Sequence, residues 1–302
     1  MRSQTAVSVM SLHQLDCLCM DAPQPFSCIQ YSRYKYGSSR IGEAYGLALG
    51  EAFLQHFPDR ALSHRLLVTS SAYKSIPTSS FCIGQAFWNR VNLMRSQAKK
   101  APGHLIKIER TTLYPGDYGT LSAEQRTRLM QSNHLYFEDA LLTGADLVIV
   151  DDVKVTGAHQ QCLMLHTGHI ALNSLTFLYA VECVDAQMSD PSIEDRLNHA
   201  SVKTLLDLVQ IIHSSDFLFN VRVCKFILSA ANRASLPQFL AQMTDRFLVH
   251  LYHMILGDGY CFMDAYQESF HIIHVTLQQR HLLAENTLAS ACKTTVCVKV
   301  VN

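Results

Sequence analysis

The chain has 302 residues, 48% of them hydrophobic and 17% charged, which suits one large domain or two small ones and excludes a disordered chain. Its 25 basic and 25 acidic residues cancel, so no global charge is available to grip duplex nucleic acid or an anionic membrane, although a local phosphate pocket needs none. The opening MRSQTAVSVMSLHQLD, interrupted by His13, Gln14 and Asp16, makes a poor secretion signal, and no run reaches the roughly 18 apolar residues of a membrane span. Ten cysteines spread over this length do not resemble a small disulfide scaffold, so a reducing cytoplasm is the expected address.

Residues 31–37 (YSRYKYG) join two cations and three aromatics ahead of a predicted helix over 40–57. Arg33, Lys35 and Tyr36 are therefore candidates for stacking a flat heterocycle or touching a phosphate, beside the plainer reading of a packed loop. A strand is predicted at 66–68, a helix over 81–95 and a strand at 105–108, followed by a loop with Pro115, Gly116 and Gly119. Ser122 and Gln125 form a capping-box pattern that opens a helix through Leu129, Tyr136, Phe137 and Ala140. Continuous apolar runs at 147–150 and 175–181 suit parallel strands buried on both faces. Beyond a short hinge-like stretch at 185–191 (DAQMSDP) the texture turns helical, with predicted helices over 202–212, 217–230, 236–254 and 263–283. The expected organisation is an α/β domain over 1–188, a helical bundle over 189–285 and a tail over 286–302, whose TTVCVKVV suits either an added strand or disorder.

Chemistry concentrates in residues 147–159 (LVIVDDVKVTGAH). Four apolar residues deliver Asp151 and Asp152 to the carboxyl end of a strand, where open α/β sheets bind ligands. The small residues that follow let backbone N–H groups converge on an anion at the start of the next helix. Acids beside an anion cradle make sense for a sugar phosphate, whose hydroxyls donate to carboxylates while the loop amides hold the phosphate. The bland alternative is an ordinary buried strand with an acidic turn.

This segment resembles the phosphoribosyl-pyrophosphate motif of the type I phosphoribosyltransferases. The resemblance implies a Rossmann-like parallel sheet flanked by helices, with a helical C-terminal domain after it. It implies that Asp151 and Asp152 bind the ribose hydroxyls of 5-phosphoribosyl 1-pyrophosphate (PRPP). Val153, Lys154, Val155, Thr156, Gly157, Ala158 and His159 would surround its 5′-phosphate. Lys154 and His159 depart from the family's usual apolar and small residues, and Val155 lacks a common hydroxyl; Lys154 or His159 would supply positive charge instead. Ser70, Ser71, Ala72, Tyr73 and Lys74 stand where the family places its pyrophosphate loop, with Lys74 a cation for the leaving group. The plainer reading of that stretch is a serine-rich connection. Residues 110–121 match the family's mobile loop in order and glycine content, leaving Arg110, or Arg126 and Arg128 beyond it, to furnish charge. YSRYKYG, SSAYKS and DDVKVTG together resemble predicted phosphoribosyltransferases of bacterial tellurite-resistance-type gene clusters, which implies a specialised metabolite or nucleotide-like product.

Other clusters are weaker. Glu268 and His271 have the ExxH spacing of di-iron bundles, but a second such motif is missing, and Cys17, Cys19 and Cys28 lack a second ligand pair at zinc spacing. The expected activity is transfer of the phosphoribosyl group to a nitrogen acceptor, a nucleobase-like heterocycle, with release of pyrophosphate. Catalysis would fall to Asp151, Asp152, Lys74 and Arg110. The cofactor is Mg2+, carried mainly on substrate oxygens with Asp151 and Asp152 as candidate ligands. The partners are these small molecules, not nucleic acid or membrane, and the bundle serves either as a hood selecting the acceptor or as a homodimer contact. The rivals are a non-catalytic sugar-phosphate or nucleotide sensor, and a hydrolase of a ribosyl-phosphate compound.

Overall fold

Continuous apolar runs become strands buried on both faces, and helical periods become the layers that cover them. The computed structural model describes residues 5–15, 26–111, 135–184 and 192–283. In chain order its first part contains β1 (Ala6–Leu15), α1 (Cys28–Lys35), α2 (Ser39–His56), the single turn α3 (Pro58–Ala61), β2 (Leu66–Ser70) and α4 (Ser80–Gln97). There follow β3 (His104–Leu105), β4 (Glu109–Arg110), β5 (Leu135–Tyr136), α5 (Asp139–Leu142), β6 (Asp146–Lys154), α6 (Ala158–Thr167) and β7 (Ser174–Cys183). The second part is α7 (Ser192–Asn198), α8 (Leu205–Ile212), α9 (Val221–Leu228), α10 (Leu236–Ala241), α11 (Asp245–Asp258) and α12 (Asp264–Gln279).

The sheet is parallel throughout, in the order β1–β7–β6–β2–β3. One face packs on α1, α2, α4 and α7 through Val68, Val148, Val150, Phe87 and Leu197. The other packs on α5 and α6 through Leu67, Leu147, Ile149, Leu163 and Phe177. A third core fills the helical part and takes in Tyr36 and Ile76 from the first part. A parallel sheet flanked by helices, with a helical C-terminal region after it, is the architecture that the resemblance implies. No helix among the described residues is long and apolar enough to cross a membrane.

Four local expectations are corrected. Residues 31–35 are not a loop before a helix but the body of α1, started by the Ser27 hydroxyl accepting from the Gln30 amide at 3.3 Å. Tyr31, Tyr34 and Lys35 share its buried face because they stand three and four residues apart. Tyr136 is strand rather than helix, since Leu135 and Tyr136 pair antiparallel with Arg110 and Glu109. The predicted strand at 105–108 ends at Leu105. The helix over 236–254 breaks at Gln242, and Thr244 restarts it by accepting from the Phe247 amide at 3.3 Å. Residues 112–134, Cys17, Cys19, the hinge-like 185–191 and the tail lie outside the described residues, and with them most of the expected mobile loop, Arg126, Arg128 and the capping box.

Candidate functional site

Neighbouring strands β2 and β6, paired in register at Ser70 and Val150, bring the loop after β2 and the acids of β6 to one sheet edge. Side chains alternate along a strand, and β6 continues through Lys154. Leu147 and Ile149 therefore point into the α6 layer and Val148 and Val150 into the α1–α2–α4 layer. Asp151 continues the first series and Asp152 the second, so the two carboxylates enter different hydrogen-bond groups.

Asp151 faces α6. Its Oδ1 accepts from the Ser71 hydroxyl at 2.7 Å and from the Asp152 amide at 2.9 Å, and its Oδ2 lies 2.7 Å from His159 Nδ1. Burial pushes the Asp151 pKa up, but the hydrogen bond and charge of His159, the Ser71 hydroxyl and the Asp152 amide outweigh it and hold the carboxyl below its ordinary value. His159 Nε2 is buried with no hydrogen-bond partner among the described residues.

Asp152 faces α1. Its Oδ2 accepts from Lys35 Nζ at 2.5 Å, the Ser79 hydroxyl at 2.9 Å and the Tyr34 phenol at 3.4 Å. The ion pair is buried, with side chains 8% and 7% exposed. Burial, reinforced by Asp152, lifts the Tyr34 phenol far above its usual pKa, so it remains a donor. Tyr34 and Ser79 also line a cleft that reaches Phe219 and Asn220 of the helical half. Asn220 caps α9 and donates to the Lys35 carbonyl at 3.2 Å.

The loop after β6 has the shape of an anion cradle. Gly157 adopts φ 71°, in the left-handed region, immediately before α6, whose first turn carries no acid. The Thr156 hydroxyl accepts from the Ala158 amide at 3.3 Å. Val155 is buried in the core, and half-buried Val153 packs against it. Lys154 turns away to Glu182 of β7 at 2.6 Å, which also accepts from Ser11 of β1 at 3.2 Å.

The loop after β2 runs between the two halves. Ser70 ends the strand, Ser71 holds Asp151, and Ala72 is buried in the α6-side core. Tyr73 donates its amide to the Ile108 carbonyl and accepts from the Arg110 amide, so β4 flanks the loop. Arg110 thereby comes beside this site; its charge bears on the Cys162 thiol of α6, which burial raises and Arg110 draws down. Lys74 points elsewhere: its Nζ donates to the Asp258 carbonyl of α11 at 3.3 Å.

Of the three aromatic-segment candidates, Lys35 joins Asp152. Arg33 is exposed on α1, and Tyr36 is buried against Phe226 and His199 in the helical core. Sequence reasoning missed Ser79, Tyr34 and Asp258. Tyr34 was within reach of an i, i+3, i+4 reading with Tyr31 and Lys35; Asp258 carried a signal as an acid at a helix end ahead of Gly259. Glu268 forms an ion pair with Arg233, and among the described residues no three His, Cys, Asp or Glu side chains converge as a metal site.

Residues 7–273 match the sequence model of the PRTase ComF-like family, PRTase standing for phosphoribosyltransferase. The chain belongs to this family. Among solved structures, this PRTase ComF-like chain is similar to a hypoxanthine-guanine phosphoribosyltransferase from Bacillus anthracis. That likeness has 11% identity and a TM-score of 0.31 over 49% of this chain and 80% of the other, too remote to bear on substrate. No curated protein matches.

Proposed function

We propose that this PRTase ComF-like protein transfers the phosphoribosyl group from PRPP to a nitrogen acceptor, a nucleobase-like heterocycle, releasing pyrophosphate. The observation carrying this reading is the meeting, at one edge of a parallel sheet, of the Gly157 cradle, the Asp151–Asp152 pair and the Ser70–Lys74 loop. Backbone amides at the start of α6 bind the 5′-phosphate, where the helix end favours negative charge. Asp151, held ionised by its donors, accepts from a ribose hydroxyl and favours the cationic ring that forms as the C1–O bond breaks. The loop after β2 receives the departing pyrophosphate, which keeps the bonding electron pair. The acceptor nitrogen then bonds to C1 and gives up its proton. The helical half, which touches Tyr34 and Ser79 through the cleft, is the element that selects the acceptor.

The donor set fits a magnesium ion carried by pyrophosphate and ribose oxygens better than one held by side chains, because Lys35 already neutralises Asp152 and three donors engage Asp151. Such an ion neutralises charge on the leaving group. The same saturation favours a second reading, a sugar-phosphate sensor that binds PRPP without turnover.

Titration calorimetry with PRPP, with and without magnesium, separates these readings when joined to a pyrophosphate-release assay over a panel of heterocycles. Transferase activity predicts magnesium-dependent binding and release, both lost in the folded Asp151→Asn, Asp152→Asn double variant. Binding without release across the panel supports the sensor. Absence of PRPP binding by the folded wild type rejects both.

A further inference from the structure

Asp258 ends α11, where its carboxylate meets the negative end of the helix dipole, and it is 1% exposed. An acid buried there is costly unless its surroundings donate to it. The donors come from the loop after β2, more than a hundred positions earlier in the chain. The Ser75 and Ile76 amides both donate to its Oδ1, at 2.8 and 3.2 Å. Two more bonds run the same way, from Lys74 Nζ to the Asp258 carbonyl at 3.3 Å and from the Ser75 hydroxyl to the Gly257 carbonyl at 3.2 Å. The Lys74 ammonium at the helix's carboxyl end also offsets the dipole. Ile76 is fully buried in the core of the helical half.

We infer that Asp258 is a positioning residue that sets the conformation of the loop after β2 from the helical side. This rests on the reading of Ser70, Ser71, Ala72, Tyr73 and Lys74 as the pyrophosphate loop. The loop is held at both ends: Ser71 bonds to Asp151 on β6, and Ser75 and Ile76 bond to Asp258 on α11. Tyr73, between them, is fixed by backbone bonds to Ile108 and Arg110. Without the Asp258 carboxylate the Ser75 amide and the buried Ile76 amide lose their acceptor, and the second half of the loop loses the contact that orients it. The loop would then no longer be preorganised for an anion.

The test compares wild type, Asp258→Ala and Asp258→Asn by amide hydrogen exchange and by steady-state kinetics with PRPP. Asparagine keeps a carbonyl oxygen able to accept from both amides. In Asp258→Ala, peptides covering residues 71–78 are expected to exchange about tenfold faster, while those covering β6 and α12 keep their protection. The KM for PRPP rises more than kcat falls, and Asp258→Asn restores both readouts towards wild type. Unchanged exchange over 71–78 in Asp258→Ala, protection lost evenly across the helical half, or an asparagine variant as damaged as alanine each overturns the inference. A wild type that takes no PRPP removes the pyrophosphate reading alone, and the exchange comparison still decides whether Asp258 orders the loop.

Discussion

Lys35 and Asp152 form a buried ion pair in which each charge is the other's main solvent substitute. Removing one partner of such a pair leaves an uncompensated charge, which costs more than the pair itself is worth. Lys35→Met is expected to lower unfolding stability by about 3 kcal/mol, read from denaturant midpoints. Adding Asp152→Asn should recover part of that loss, because the stranded charge is gone. Additive losses would show that Lys35 acts through packing instead. Sequence reading located both residues and could not join them. Two adjacent acids after an apolar run look like one site if the strand ends before them, and two if it continues. Nothing in VDDVKV sets that end, which depends on β7 pairing as far as Lys154 with Glu182.

Helix α2 meets α4 at close range through Gly46. A Cβ there would run into the Ile83 carbonyl and would stand 2.6 Å from the Ala86 Cβ. Close approach matters because α4 begins at the site: Ser79 precedes it and donates to Asp152, and the Ser80 hydroxyl accepts from the Ser71 amide at 3.3 Å. Gly46→Ala therefore both strains the layer and displaces these serines. It is expected to cost about 2 kcal/mol in a thermal melt and to weaken PRPP binding along with stability. Full binding at wild-type stability would sever this link. Periodicity exposed α2, α4, β2, β6 and β7 because each has a continuous run or a clean apolar face. It missed β1, whose two faces are each partly exposed at the sheet edge, so neither alternation nor an apolar run marks it. It missed α1 because half of that helix's inward face is a lysine and a serine engaged in hydrogen bonds.

At the scale of the molecule, the two textures in the sequence share their cores. Ile193 and Leu197 of α7 lie in the sheet-side core, while Tyr36 and Ile76 lie in the helical core. Gly37, at φ 105°, lets the turn after α1 sit against Phe217, and the Leu218 amide donates to the Gly37 carbonyl at 2.8 Å. A chain ending after residue 184 would keep the β2 and β6 loops but expose Tyr36 and Ile76 and release Lys74 and Ser75 from α11. It is expected to aggregate and to lack a cooperative melt, measured by size exclusion and circular dichroism. A soluble, cooperatively melting fragment would show that the α/β part stands alone. The change of texture was legible from composition; the interlocking was not, because it rests on single apolar residues that cross from one part to the other.

Strand β1 adds a consequence for how the chain reaches this state. It precedes every other strand among the described residues, yet it pairs along its length with β7, and Thr5 reaches the Leu172 carbonyl across 167 positions of sequence. During synthesis, ten residues without a Lys, Arg, Asp or Glu must wait for their partner while most of the α/β part is translated. Non-local parallel pairing of this kind is slow, and an uncharged, strand-prone segment is sticky while it waits. Closing the sheet at its β1 edge is thus a late event, and the nascent sheet is most vulnerable at the strand that waits longest for its partner.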